Sequence, residues 1–336
     1  MVRAYAASAA KAPLTAFEYE VGSLGALQVD INVSSCGLCH SDMSMADNSW
    51  GFTGFPFVPG HEVIGTVAAV GSAVKHLKLG QTVGLGWYAH SCGTCKACVG
   101  GDQNFCASAE QTIVHRHGGF GTRVRAGGDW VIPLPSALDP SSAGPLFCAG
   151  ITVFNPILQF GVRSTDRVGV IGIGGLGHLA LQFLNKWGCE VTAFTSSPSK
   201  KDEALRLGAH KVVSSRDAEA MKAIRGSLDF ILSTVDANLD WQLILEALGP
   251  RGRLHVVGVV PDPIPVSAMT LLLAQRSVSS SPGGSPATLA TMLDFCARHK
   301  IAPIVERFPM SKVNDALAHL RAGKARYRIV LDNDLK

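Results

Sequence analysis

Residues 167–197 read RVGVIGIGGLGHLALQFLNKWGCEVTAFTSS, and their patterns follow one another in a telling order. A short apolar run meets a glycine turn. A helical pattern then places Leu176, Leu179, Ala180, Phe183, Leu184 and Trp187 on one side, and a second apolar run follows. Strand, turn, helix and strand make the repeating unit of a parallel sheet. Within it Gly172, Gly174 and Gly177 form GxGxxG. The first glycine permits a tight turn, the second lets the backbone approach a pyrophosphate, and the third lets helix and strand pack closely. With Gly175 and Leu176 they open the helix whose N–H groups bind phosphate. A glycine turn that merely packs a helix on a strand is the simpler alternative; the surrounding pattern favours a dinucleotide.

Working outward, apolar runs at 228–232, 254–257 and around Val278 alternate with helical patterns and continue a doubly wound parallel sheet. A Gly/Pro/Ser hinge at 282–286 precedes a helical pattern over 287–299, and RYRIVL at 326–331 is expected to return to the first domain as a strand. The composition changes near residue 150. Residues 1–149 with 285–336 are therefore expected to form one domain and 150–284 the other. In the first, LGALQVDINVS at 24–34 alternates with Val29, Ile31 and Val33 on one face, a strand that delivers the chain to Cys36. Glycines at 65, 71, 80 and 84 punctuate β-branched runs, as in an antiparallel sheet.

The chemistry concentrates between Cys36 and Glu62, from CGLCHSD to PGHE. Thiols, imidazoles and carboxylates at that density bind zinc or orient its ligands. A closed structural site uses two tight pairs, whereas a thiolate followed some twenty positions later by His-Glu suits an open, catalytic metal. The spacing does not choose between Cys36 and Cys39. Next, CGTCKACVGGDQNFC carries Cys92, Cys95, Cys98 and Cys106, which can wrap one tetrahedral ion completely. A redox dithiol or an iron–sulfur cluster fits less well, because this loop adjoins a β domain and opens no thioredoxin-like helix.

The chain has 336 residues, 47% hydrophobic and 17% charged, enough for two domain cores and with a surface modest enough in charge to expect oligomerisation. The net charge of +4 is scattered, without a basic block interleaved with aromatics, so nucleic acid is not implied. The N-terminus lacks a signal pattern and no stretch reaches the roughly 20 apolar residues that span a bilayer, so a cytoplasmic protein without a membrane partner is expected. Nine cysteines in such a chain read as metal ligands before disulfides.

The second strand ends VTAFTSSPSKK. NAD-binding versions of this unit usually place a carboxylate there for the ribose hydroxyls; here the position is Thr195. Thr195, Ser196 and Ser197 offer hydroxyls and Lys200 a positive charge, which favours the 2′-phosphate of NADP(H). A solvated turn capping the next helix is the simpler role for the same residues, and both can hold.

With GxCHSD, GHE, four clustered cysteines, LFCAGIT at 146–152 and GIGGLG in this order, the whole chain resembles the zinc-containing medium-chain alcohol dehydrogenases. CHSD, NSWGF, AGPLFCAGITVF and GKARYRIVL make it most similar to their cinnamyl-alcohol-dehydrogenase-like branch and its bacterial NADPH-dependent aldehyde reductases. The resemblance implies an α/β chain with a GroES-like, mostly-β catalytic domain, a Rossmann cofactor domain and two zinc ions. It makes Cys39, His61 and Cys148 the catalytic ligands, with Glu62 as an occasional one, and leaves Cys36 out. Cys189 and Cys296 become small core residues. The implied reaction is hydride transfer from the nicotinamide to an aldehyde whose oxygen zinc polarises, giving a primary alcohol, or the reverse. Ser41 matches the hydroxyl that relays the proton, Asp42 the carboxylate that orients His61, and His40 a cofactor-phosphate contact. Many members end the relay with a histidine three positions after that hydroxyl; this chain has Ser44, leaving water or Asp47 as the exit. Trp50, Trp87 and Tyr88 are expected near the substrate. A homodimer paired through the sheet edge at 277–281 is also expected. A polyol, threonine or glutathione-adduct dehydrogenase on the same scaffold, or a non-catalytic dinucleotide-binding protein, are the competing readings.

Overall fold

Six parallel strands form one sheet, in the order Lys211–Ser214, Glu190–Thr195, Arg167–Ile171, Leu228–Ser233, Leu248–Val256, Ser277–Ser280. They belong to a computed structural model that describes residues 1–335; Lys336, the end of the predicted 285–336 range, lies outside the described residues. The strands read as nearly continuous apolar runs because helices cover both faces: Val168, Val170, Val191, Ala193, Ile231 and Leu232 are all fully buried. The helix Gly177–Trp187 connects Arg167–Ile171 to Glu190–Thr195 and buries Leu179, Ala180, Phe183 and Leu184. It stops at Gly188, whose φ of 105° is left-handed and suits glycine. The strand order reverses beside Arg167–Ile171, which opens a crevice at the carboxyl ends, where such sheets bind nucleotides.

This sheet lies in the unit Thr152–Gly283; the other unit is Met1–Ile151 with the segment that starts at Gly284. There a seven-stranded sheet runs Val305–Pro309, Arg328–Asp332, Gln28–Leu38, Val63–Val70, Thr82–Leu85, Ile132–Pro133, with Arg123–Gly127 also paired to Gln28–Leu38. Val29, Ile31 and Val33 are buried on one face, as the alternation requires. The strand runs four residues further than local pattern indicates, because Cys36 pairs with Val63 and Leu331, partners remote in sequence. Asp30 is buried there and held by the Arg125 guanidinium at 2.7 and 3.0 Å. The C-terminal run returns as the strand Arg328–Asp332. The helix Pro286–His299 starts where Ser285 accepts a hydrogen bond from the Thr288 N–H. Among the described residues no helix is long and apolar enough to cross a membrane.

On the strand next to the far edge of the parallel sheet His255 is fully buried, its ring bridging the hydroxyls of Ser279 and Ser281 at 2.9 and 3.1 Å. Burial, and then the Arg253 guanidinium, depress its pKa to about 4. The unfolded chain therefore takes up a proton below its ordinary value of 6.5 that the folded chain refuses until about pH 4. Stability present above pH 6.5 is lost as pH falls through this window, by roughly 3 kcal/mol. Urea unfolding at pH 7.5 and at pH 4 should show that loss, and His255→Asn should reduce the difference.

Candidate active site

Cys39 follows the strand Gln28–Leu38 and caps the helix His40–Ala46 in extended conformation. One side chain in the first turn fixes the neighbourhood. The Asp42 carboxylate accepts from the Cys39 N–H at 3.0 Å and the Gly60 N–H at 2.8 Å, and lies 2.9 Å from His61 Nδ1. It thereby sets the His61 tautomer and turns Nε2 toward Cys148 Sγ, 3.2 Å away. The Cys39 and Cys148 sulfurs are 3.9 Å apart. With a Glu62 oxygen, these ligand atoms all lie within 4.8 Å of one another.

The electrostatics suit a cation. The hydrogen bond with Cys148 holds the Cys39 thiol well below its usual range and correspondingly raises Cys148, so one proton is shared by two sulfurs. Burial alone would lower His61, but the adjacent Asp42 carboxylate outweighs it and raises the imidazole. Burial lifts Glu62 to about 7 against the pull of Arg328. Glu62 forms an ion pair with that guanidinium through one oxygen, while its other oxygen is buried without a partner. Gly37 makes room for it: a Cβ there would lie 1.9 Å from Glu62 Oε2. Two sulfurs and an imidazole with a carboxylate in reserve are a borderline-soft, four-atom donor set, and this fits zinc.

The four remaining clustered cysteines also converge to within 4.8 Å. Cys92 and Cys98 sulfurs are 3.9 Å apart, and the Cys95 N–H donates to Cys92 Sγ at 3.4 Å. Backbone N–H groups of Thr94 and Cys95 pull the Cys92 thiol down to about 6, while burial and then the neighbouring thiols push Cys98 up to about 11. All nine cysteines are free thiols.

Of the predicted pocket aromatics, Trp87 meets His61 edge-on at 5.0 Å and Trp50 meets Trp87 at 6.2 Å. Tyr88 does not join them. It is buried against Trp130 at 5.0 Å, since consecutive residues of an extended chain face opposite ways. Phe52, which sequence reasoning passed over, stacks on Trp50. Ser41 lies 3.8 Å from Cys39 Sγ, and His40 is exposed. Asp47 is bound through both oxygens by Arg321 at 2.5 and 2.6 Å. Cys36, Cys189 and Cys296 are buried. Arg328 was also missed; its signal was a charge set directly before the apolar run Ile329, Val330, Leu331.

In the parallel-sheet unit the glycine turn is tight. Gly172 has φ 88°, and a Cβ on Gly177 would lie 1.8 Å from the Gly172 carbonyl oxygen. A Cβ on Gly174 would meet nothing within 4 Å, leaving that backbone open to a ligand. Gly175 and Leu176 are half-buried beside it. A cleft of about 490 Å³ is lined by Gly172, Thr195, Ser196, Ser197 and Lys200. The Thr195 hydroxyl accepts from the Ser197 N–H at 3.1 Å, and Lys200 Nζ donates to the Ile173 carbonyl at 3.2 Å.

Family models agree with both units: an alcohol dehydrogenase GroES-like domain matches residues 25–136 and a zinc-binding dehydrogenase domain matches 175–298. The chain belongs to the zinc-containing alcohol dehydrogenases, with a GroES-like unit and a Rossmann unit. An aldehyde reductase of Synechocystis sp., AdhA, is 55% identical over 99% of both chains. A cinnamyl alcohol dehydrogenase structure from Sorghum bicolor superposes with a TM-score of 0.94 at 37% identity, covering 98% of this chain and 97% of that one. One from Helicobacter pylori, complexed with NADP(H), reaches 0.89 at 29% identity over 98% and 97%.

Gly177→Ala should force the turn open, costing about 1–3 kcal/mol of stability and weakening nucleotide binding. Thermal unfolding and a fluorescence titration with NADPH would measure both.

Proposed function

We propose that this chain reduces aldehydes to primary alcohols with NADPH, and runs the reverse reaction, at an open zinc held by Cys39, His61 and Cys148. The observation carrying this reading is the ligand cluster itself: three donors converge and Arg328 holds one oxygen of the fourth, Glu62, so a substrate oxygen can compete with a single remaining carboxylate oxygen for the last position. Bound zinc would act as a Lewis acid toward the carbonyl oxygen, and the nicotinamide would supply hydride. The protein's own groups do the rest. Asp42 keeps His61 in the tautomer whose Nε2 can ligate. Trp50 and Trp87 line an apolar wall suited to an aliphatic or aromatic aldehyde. Ser41 relays the proton. Asp47 is spent on Arg321, and Ser44 lacks a titration near neutral pH, so the proton leaves through water. The closed set Cys92, Cys95, Cys98 and Cys106 holds a second, structural zinc.

The same reading assigns residues 1–149 and 285–336 to the zinc domain and 150–284 to the cofactor domain. NADP(H) preference rests on Thr195 at the end of its strand, where a carboxylate is missing, and on Ser196, Ser197 and Lys200 in one cleft. His40 is a further phosphate contact. A homodimer would cover the edge strand Ser277–Ser280, in keeping with the exposed Val259, Met269, Leu272 and Leu273 in the segment that precedes it. A light-scattering mass equal to one chain at micromolar concentration would exclude this assembly.

A kinetic screen of aldehydes with NADPH and NADH, alongside metal analysis, tests the proposal; two zinc ions per chain and NADPH-dependent turnover are expected. Cys39→Ser should abolish turnover in a folded protein, whereas Cys95→Ser should lower the unfolding temperature first. If Cys36→Ser removed activity and Cys39→Ser spared it, the ligand assignment would be wrong. Thr195→Asp should weaken NADPH by roughly tenfold or more through charge repulsion and NADH far less. Equal kcat/KM for both cofactors in the unmutated enzyme would refute the preference.

A further inference from the structure

The cleft of the parallel-sheet unit contains a cation that the foregoing assignments leave unused. Arg216 lines it together with Lys200, Ser197 and Thr195. Its position is fixed by the sheet. Ser214 pairs with Thr195 in parallel register, and the Ser215 N–H donates to the Thr195 carbonyl at 3.3 Å. The chain at Arg216 thus starts beside the turn that carries Thr195 to Ser197. Arg216 is exposed and makes no hydrogen bond or ion pair among the described residues.

Neighbouring acids are each held through one oxygen by backbone and form no ion pair with it among the described residues. The Asp217 carboxylate is engaged by the N–H groups of Glu219 and Ala220 at 3.0 and 3.1 Å, capping the next helix. Asp240, which also lines the cleft, accepts from the Leu243 N–H at 3.0 Å. Lys200 is partly committed, since its ammonium donates to the Ile173 carbonyl above the glycine turn. A phosphate monoester carries a charge of about −1.5 to −2 at pH 7, more than one lysine neutralises. A guanidinium offers a planar fork that matches phosphate oxygens in pairs.

The geometry points to Arg216 as the second cation of a clamp for the ribose 2′-phosphate of NADP(H), opposite Lys200, and hence as a specificity-determining residue. This rests on the NADP(H) reading above. An arginine lying flat on the adenine is the alternative use of the same side chain, and it would serve both cofactors equally.

The test is calorimetric binding of adenosine 2′,5′-bisphosphate and of 5′-AMP to the full chain, which separates the 2′-phosphate from everything else. Arg216→Gln should weaken the bisphosphate roughly tenfold to a hundredfold and leave 5′-AMP and the unfolding temperature unchanged. Arg216→Lys should restore part of the loss. If Arg216→Gln weakened both ligands alike, or neither, while Lys200→Gln abolished the discrimination, the clamp would be overturned with the NADP(H) reading intact. If the unmutated chain bound both ligands equally, that reading would fall, and the clamp with it.

Discussion

The site depends on a guanidinium and a carboxylate that both sit out of reach of water: Arg328 is 4% exposed and Glu62 is fully buried. Removing two ions from water costs several kcal/mol each, and breaking such a pair by deleting one partner typically costs 3–5 kcal/mol. Arg328 begins the last strand of the sheet, and that strand pairs with residues 35–38, immediately before Cys39. The C-terminal segment is therefore a wall of the active site, joined to it by backbone ladder and by charge. Arg328 stays charged, since Glu62 and the two ligand sulfurs together overcome its burial and raise it. A permanent cation beside the two thiols makes them easier to ionise.

A second economy lies in Asp42. It supplies one carboxylate to two backbone N–H groups and one imidazole, so the strand end, the Gly60 turn and the His61 ring share a single reference point. Ligand placement is tied to that sharing, because none of the three can shift without disturbing a buried hydrogen bond.

What could be read from the sequence was whatever depends on local spacing. The glycine turn, its helix and the four-cysteine loop each lie within a short stretch, and the structure brings each together. The alternation at 29, 31 and 33 was equally legible, but the strand's continuation to Leu38 was not, since its partners at 329–331 lie almost three hundred positions away. Composition could not say which face Tyr88 takes, and it followed its strand into the core beside Trp130. Neither Cys36 nor Cys39 announces itself by spacing; in space, Cys39 lies with His61 and Cys148 while Cys36 donates only weakly to the Gly37 carbonyl. Arg328 and Arg216 acquire meaning only when strands far apart in sequence are paired.

The contrast between the two cysteine clusters follows from charge. Four thiolates exceed the charge of a divalent ion by two, and such an excess is tolerable only near water or among many donors. Their loop is accordingly placed at the surface, with Cys92 exposed, Cys95 half-exposed and backbone N–H groups aimed at sulfur. Two thiolates and a neutral imidazole balance a divalent ion, so that set can be buried, as Cys39 and His61 are. Adding Glu62 would make the buried set negative by one, and Arg328 is the charge that compensates. The buried centre is thus close to neutral whether or not Glu62 joins the donor set, because Arg328 accompanies Glu62 in either case.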